Sequence, residues 1–137
     1  MDDREAIRQL KARYFRTMDT KDWQGMRGVF TDDVVVDTSA AGGSEVSGAD
    51  EFMAFLQETL SGAVTVHQGH MPEIDLTSPT TATGVWALND LVIWPNGTRL
   101  NGYGHYYDTY EKVGDQWLIK ASTLTRLHVD LNGSETG

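Results

Sequence analysis

The sequence predicts an α+β fold in which three N-terminal helices close a cone-shaped, curved antiparallel sheet. Three features predict it. Apolar residues recur every three to four positions up to Gly62 and every second position from Val64 onward. The resulting order is helix, helix, strand, helix and then a meander of four strands, with helices and strands largely segregated along the chain. Strands this long in a chain of 137 residues must curl to be covered by so little helix, which leaves a hollow between sheet and helices.

The first helix is the best marked. Asp2 or Asp3 can cap it, and Glu5 sits in its first turn. Ile7, Leu10, Tyr14, Phe15 and Met18 then form one apolar stripe. Lys11 falls inside that arc, where its stem packs and its amine is expected to snorkel outward. Asp22 opens a short second helix running to Phe30, weakened by Gly25 and Gly28. Val34-Val35-Val36 is a short strand, and Gly42-Gly43-Ser44 a loop. Ser47-Gly48-Ala49-Asp50 opens the third helix, which carries Phe52, Phe55, Leu56 and Leu60. Four strands follow, over 64–76, 81–94, 98–110 and 116–127. They join at Ser78-Pro79, at Trp94-Pro95-Asn96-Gly97 and at Val113-Gly114-Asp115, the last two as hairpin turns. Residues 132–137 read as a frayed polar tail. No repeat or linker interrupts the pattern, so 1–137 reads as one domain.

Composition removes several function classes. With 11 Lys and Arg against 20 Asp and Glu, the net charge is −9. A binder that tracks nucleic-acid phosphates needs a basic face, and an anionic membrane surface needs the same. The absence of cysteine excludes disulfide scaffolds, thiolate metal sites and thiol nucleophiles. The charged N-terminus is unlike a signal peptide, and no apolar run approaches the ~20 residues of a membrane span, so a cytoplasmic location is expected. No HxH or HExxH pattern implies a metal, and no GxSxG, P-loop or GxGxxG implies a nucleophile elbow or nucleotide. No cofactor is implied. Acid–base chemistry on a hydrophobic small molecule, or plain binding of one, remains.

Such chemistry needs polar side chains pointing into an apolar hollow. Tyr14 and Asp19 lie about 140° apart around the first helix, so both border the hollow only if it lies between them, over Phe15 and Met18. Tyr14 reads either as a site residue or as a core tyrosine with its hydroxyl bonded, and Asp19 either as a site residue or as a helix-end residue. His67 and His70, three apart on a strand, face opposite ways. One of them points inward, and an inward histidine beside a carboxylate is a general-base candidate. Asp90 shares strand parity with Trp86, Leu88, Val92 and Trp94. It is either turned outward or held in apolar company, where a carboxylate is costly unless paired or protonated. Arg126, at the expected end of the last strand, reads as a rim arginine paired with one of the many acids or as a site residue. Phe55, Met71, Trp86, Leu88 and Tyr107 are the expected lining.

Two stretches carry a resemblance. Ile7-x-x-Leu10-x-x-x-Tyr14-Phe15-x-x-x-Asp19-x-x-Asp22-Trp23, followed by Phe30-Thr31-Asp32-Asp33, resembles the opening of SnoaL-like proteins of the nuclear transport factor 2-like, cystatin-like superfamily. Tyr110-Glu111-Lys112-x-Gly114-Asp115-x-Trp117-x-Ile119 resembles their final hairpin. The branch that looks nearest holds bile acid 7α-dehydratase, scytalone dehydratase and hexachlorocyclohexane dehydrochlorinase, which are cofactor-free elimination enzymes. By that resemblance Asp19 and His67, 48 residues apart, form a His–Asp dyad. Tyr14 and Asp90 match a tyrosine and an aspartate of the bile acid enzyme, and Arg126 or Ser122 stands near a late arginine.

The expected activity is therefore a cofactor-independent, dehydratase-type elimination next to a carbonyl on a polycyclic, steroid or polyketide-like molecule. Tyr14 would donate to the carbonyl oxygen, and Asp90 would protonate the leaving hydroxyl. Isomerisation, cyclisation or non-catalytic binding are the alternatives on the same scaffold. Aromatic residues on the outward parity suggest a homodimer or homotrimer.

Overall fold

The computed structural model describes residues 1–132. Helix α1 spans Asp3–Asp19, and the Asp2 side chain caps it by accepting the Glu5 N–H at 2.8 Å. Helix α2, Trp23–Arg27, is capped in the same way by Asp22, which accepts from Gly25 N–H at 3.0 Å. Strand β1 (Phe30–Asp37), a 3-10 turn at Ser39–Ala41 and the three-residue β2 (Glu45–Ser47) lead to helix α3, Ala49–Leu60. The meander is β3 (Val64–Ser78), β4 (Thr81–Ile93), β5 (Arg99–Val113) and β6 (Gln116–Asn132). Among the described residues no helix is long and apolar enough to cross a membrane.

The six strands form one sheet in the order β2-β1-β6-β5-β4-β3. Every neighbouring pair is antiparallel except β1 with β6, which run parallel, so the sheet is mixed rather than wholly antiparallel as expected. Phe30 belongs to β1 and not to the second helix, and β6 continues five residues past Leu127. Of the polar tail expected at 132–137, Asn132 is strand, and 133–137 lie outside the described residues. Four register shifts in the β3–β4 and β5–β6 pairs bend the long strands, as strand bulges do.

The helices cover the concave face. Ile7, Leu10 and Tyr14 of α1 meet Phe30 and Val34 of β1, Phe52 and Leu56 of α3, and Tyr106, Tyr110, Trp117 and Ile119 of the sheet in one core. Lys11 is part of that core and does not snorkel. Its Nζ lies 2.8 Å from Asp108 Oδ2 with neither side chain exposed, against the ring faces of Tyr14 and Tyr106. Charged acceptor and aromatic faces inside the cone hold an amine that the amphipathic pattern alone sends to solvent.

Candidate active site

The hollow opens between α3, the Thr38–Gly43 connection and the wide end of the sheet. It measures about 250 Å³. Its wall is apolar, with Met18, Phe52, Phe55, Leu56, Val92 and Leu124 among its residues. The polar groups on it include Tyr14, His67, Asp90, Tyr106, Ser122 and Arg126.

Asp19 ends α1, where the helix delivers its carboxylate to the start of β3. Oδ1 lies 2.7 Å from His67 Nδ1, and Oδ2 accepts the His67 backbone N–H at 2.8 Å. One carboxylate thus grips both ring and backbone of the same residue. A carboxylate only accepts, so Nδ1 carries the hydrogen, and in the neutral ring Nε2 is the nitrogen free to accept, on a side chain that lines the cavity. Thr65, two positions earlier on the same strand face, donates to Asp19 Oδ1 at 2.9 Å. His70 is exposed, on the other face of β3.

Asp90 is His67's directly opposite partner on β4, and Gly102 is opposite Asp90 on β5. Arg126 reaches in from β6 and clasps Asp90 with both arms, Nη1 to Oδ1 at 2.6 Å and Nη2 to Oδ2 at 2.9 Å. Gly102 makes this geometry possible: a Cβ there would collide with the guanidinium and with the Asp90 carboxylate. Asp90 is 5% exposed, so this pair is almost wholly withdrawn from water. Tyr14 and Tyr106 sit beside it with ring centroids 5.8 Å apart, and their hydroxyls interact. Burial pushes both phenols well above the ordinary range, with the Asp108 charge adding to the effect on Tyr14. Both therefore remain hydrogen-bond donors.

The structure brings Tyr14, Asp19, His67, Asp90, Arg126 and Phe55 to one place, with Ser122 also on the wall. Four expectations are corrected. Asp90 is not an isolated carboxyl among apolar neighbours, because Arg126 occupies both its oxygens. Met71 is 90% exposed: it has φ +37°, and the ladder is broken between His70 and Glu73, where Pro72 has no N–H to pair. Tyr107 is 49% exposed on the convex face, and its neighbour Tyr106 is the residue that lines the cavity. Trp86 and Leu88 do face inward but lie in the core at the narrow end. There Trp86 Nε1 donates to the Tyr110 hydroxyl at 2.9 Å, and neither residue is on the cavity wall. Arg126 itself stands within β6, six residues before its end. Thr65 and the Lys11–Asp108 pair escape a reading of the sequence alone, although Thr65 shares His67's strand parity.

With the geometry established, comparisons with known proteins place the chain. The SnoaL-like domain family matches residues 1–123. The chain belongs to that family. A probable cyclase of Gibberella zeae is 24% identical over 134 residues, covering 89% of each chain. A Novosphingobium aromaticivorans protein provisionally described as a scytalone dehydratase superposes with TM-score 0.82, at 23% identity over 92% of this chain and 85% of that one. The type 3 hexachlorocyclohexane dehydrochlorinase of Novosphingobium barchaimii gives 0.83, at 13% identity over 96% of this chain and 90% of that one. These likenesses show the fold, and the NTF2-like, cystatin-like cone expected for a SnoaL-like chain is the one observed.

Proposed function

We propose that this SnoaL-like protein is a cofactor-independent enzyme that moves protons on a hydrophobic, carbonyl-bearing small molecule, as a dehydratase-type lyase. One observation carries the reading: His67 Nδ1 is tied to Asp19 at 2.7 Å while the ring borders an apolar cavity. That arrangement suits a neutral imidazole acting as general base, with the carboxylate stabilising the imidazolium that forms. SnoaL-like relatives named as cyclase, scytalone dehydratase and dehydrochlorinase support small-molecule chemistry on this scaffold.

In the proposed step, His67 Nε2 takes the proton from the carbon next to the substrate carbonyl. The C–H electron pair moves toward the carbonyl oxygen, where the Tyr14 hydroxyl donates as negative charge builds. Collapse of that charge expels hydroxide from the β-carbon and leaves a conjugated alkene. Since Arg126 holds both Asp90 oxygens, the proton that turns hydroxide into water is the one His67 has just taken, which returns the imidazole to its starting state. One base serving both ends requires the C–H and C–O bonds to lie on the same face of the substrate. The Asp90–Arg126 pair then serves to position the substrate, since a guanidinium already neutralised by a carboxylate favours a neutral oxygen over a free carboxylate. A cavity of about 250 Å³ lies near the small end of ligand sites, which favours one or two rings over a fully enclosed steroid. The cyclase relative favours ring closure from the same carbanion as a second reading.

The test is a panel of β-hydroxy ketones followed by the absorbance of the conjugated product, with solvent-deuterium incorporation at carbon measured in parallel. His67→Ala is expected to lower turnover by about 10²–10⁴-fold while leaving the thermal midpoint close to the parent's. A His67→Ala variant as fast as the parent would overturn the assignment.

A further inference from the structure

The end of α1 has an unusual residue in a familiar place. Asp22 N–H returns to Thr17 C=O at 2.8 Å and Lys21 N–H to Met18 C=O at 3.2 Å, the paired bonds of a Schellman helix end. The left-handed position of that motif normally carries glycine, which alone escapes the steric cost of positive φ. Here it carries Lys21, at φ +61°. Its side chain is partly buried, and its Nζ lies 3.2 Å from Thr65 Oγ1. Burial lowers the Lys21 amine below its ordinary value, and the Asp19 charge opposes that, which places the ammonium within the field of the dyad carboxylate.

Counting hydrogens then fixes the direction of every bond. An ammonium can only donate, so Thr65 Oγ1 accepts from Lys21. Thr65 has a single hydroxyl proton, and the remaining partner at 2.9 Å is Asp19 Oδ1, so that proton points to the carboxylate. Oδ1 thereby receives Thr65 and His67 Nδ1 together, while Oδ2 receives the His67 backbone. Reversing the threonine hydroxyl would set its proton against an ammonium and turn its oxygen toward a carboxylate.

We propose that Lys21 and Thr65 are positioning residues of the dyad: the lysine orients the threonine hydroxyl, the threonine pins Asp19 against Nδ1 of His67, and the neutral ring is thereby held in the tautomer whose Nε2 accepts. The catalytic consequence rests on the reading of His67 as the base, whereas the tautomer consequence rests on geometry alone.

The experiment uses Lys21→Gly and Thr65→Val, with Lys21→Arg and Thr65→Ser as conservative partners. Glycine relieves the backbone at position 21, so Lys21→Gly is expected to unfold no more easily than the parent. A loss in that variant therefore cannot be blamed on misfolding. The ¹⁵N spectrum of the His67 ring, assigned by its disappearance in His67→Ala, reads the tautomer directly. The parent is expected to show a protonated Nδ1 and a bare Nε2, with a slowly exchanging low-field Nδ1–H. Lys21→Gly and Thr65→Val are expected to lose that slow exchange and mix in the other tautomer, with kcat falling about tenfold at similar KM. The arginine and serine variants are expected to keep the parent spectrum. Folded Lys21→Gly and Thr65→Val proteins with the parent's tautomer and exchange would overturn the relay. Full activity in His67→Ala together with altered spectra would instead remove the catalytic reading and leave the relay supported.

Discussion

Replacing Lys11 by Met strips the charge partner from a carboxylate that water does not reach. Lys11 Nζ is 2.8 Å from Asp108 Oδ2, and both side chains are fully buried. Asp108 Oδ2 also accepts from the Tyr110 hydroxyl at 2.8 Å, and that hydroxyl accepts from Trp86 Nε1. The ammonium lies 3.8 Å from the Tyr106 ring centroid and 4.1 Å from that of Tyr14. Removing one member of a buried pair costs about 3–5 kcal/mol, because the survivor keeps its desolvation penalty without its partner. Lys11→Met and Asp108→Asn are each expected to lose that much in urea unfolding. For a chain this long that corresponds to a fall of roughly 10–20 °C in the thermal midpoint. The double variant carries no charge at either position, and the amide oxygen that replaces the carboxylate can still accept from Tyr110. It is therefore expected within about 2 kcal/mol of the parent. The coupling between the two sites is then at least about 4 kcal/mol, since the two single losses total no less than about 6. If the double variant loses the full sum of the singles, the two groups do not neutralise one another, and the account of how this lysine is tolerated in the core fails.

Two further perturbations test the site and its supports. Gly102→Ala is expected to push Arg126 off Asp90, lowering turnover of the proposed substrates at least about tenfold and stability by about 1–3 kcal/mol, as overpacking does; turnover at the parent's rate would mean that the clasp is dispensable. Burial raises the phenols of Tyr14, Tyr106 and Tyr110, so the folded protein holds these protons more tightly than the unfolded chain. Their contribution to stability is therefore complete below pH 10 and is lost as pH climbs above it, toward the raised folded values. Ultraviolet titration of tyrosinate is expected to show these three ionising only together with loss of near-ultraviolet circular dichroism; ionisation of all tyrosines in a still-folded protein would contradict the burial.

The helices are legible in the sequence because each rests on short-range spacing. Asp2 and Asp22 cap α1 and α2 as their chemistry dictates, and the stripe from Ile7 to Met18 sets which side of α1 meets the sheet. Asp19 and His67 are joined in the sequence only through the resemblance to SnoaL-like enzymes, and in the structure the end of α1 delivers one to the other. Lys11 is misplaced by the pattern because amphipathicity weighs a residue by its own polarity, while its fate is decided by Asp108, far away on β5.

The remaining errors divide by whether the register of a hairpin is free of bulges. Along β4 and β5 the pairing runs from Ile93↔Arg99 at the turn to Thr81↔Glu111 at the far end without a shift. Once Asp90 faces inward, that unbroken ladder forces Gly102 and Tyr106 inward and Tyr107 outward. The Trp94–Thr98 turn, where Asn96 Oδ1 accepts the Thr98 N–H at 2.9 Å, marks the centre of that register in the sequence itself. Tyr106 is thus deducible, and the expectation of Tyr107 is a one-residue slip. The β3–β4 and β5–β6 ladders each shift twice, so counting back from their turns does not reach Met71 or Arg126 in the correct phase. Parity also assigns a face without assigning a depth, which is why it sends Trp86 and Leu88 to a cavity wall when they plug the narrow end below it. Curvature makes the hollow, and the bulges that produce curvature are the same features that hide strand phase from the sequence. In a cone of this kind, the face of a residue on an unshifted ladder follows from one known neighbour, while faces across shifted ladders need coordinates.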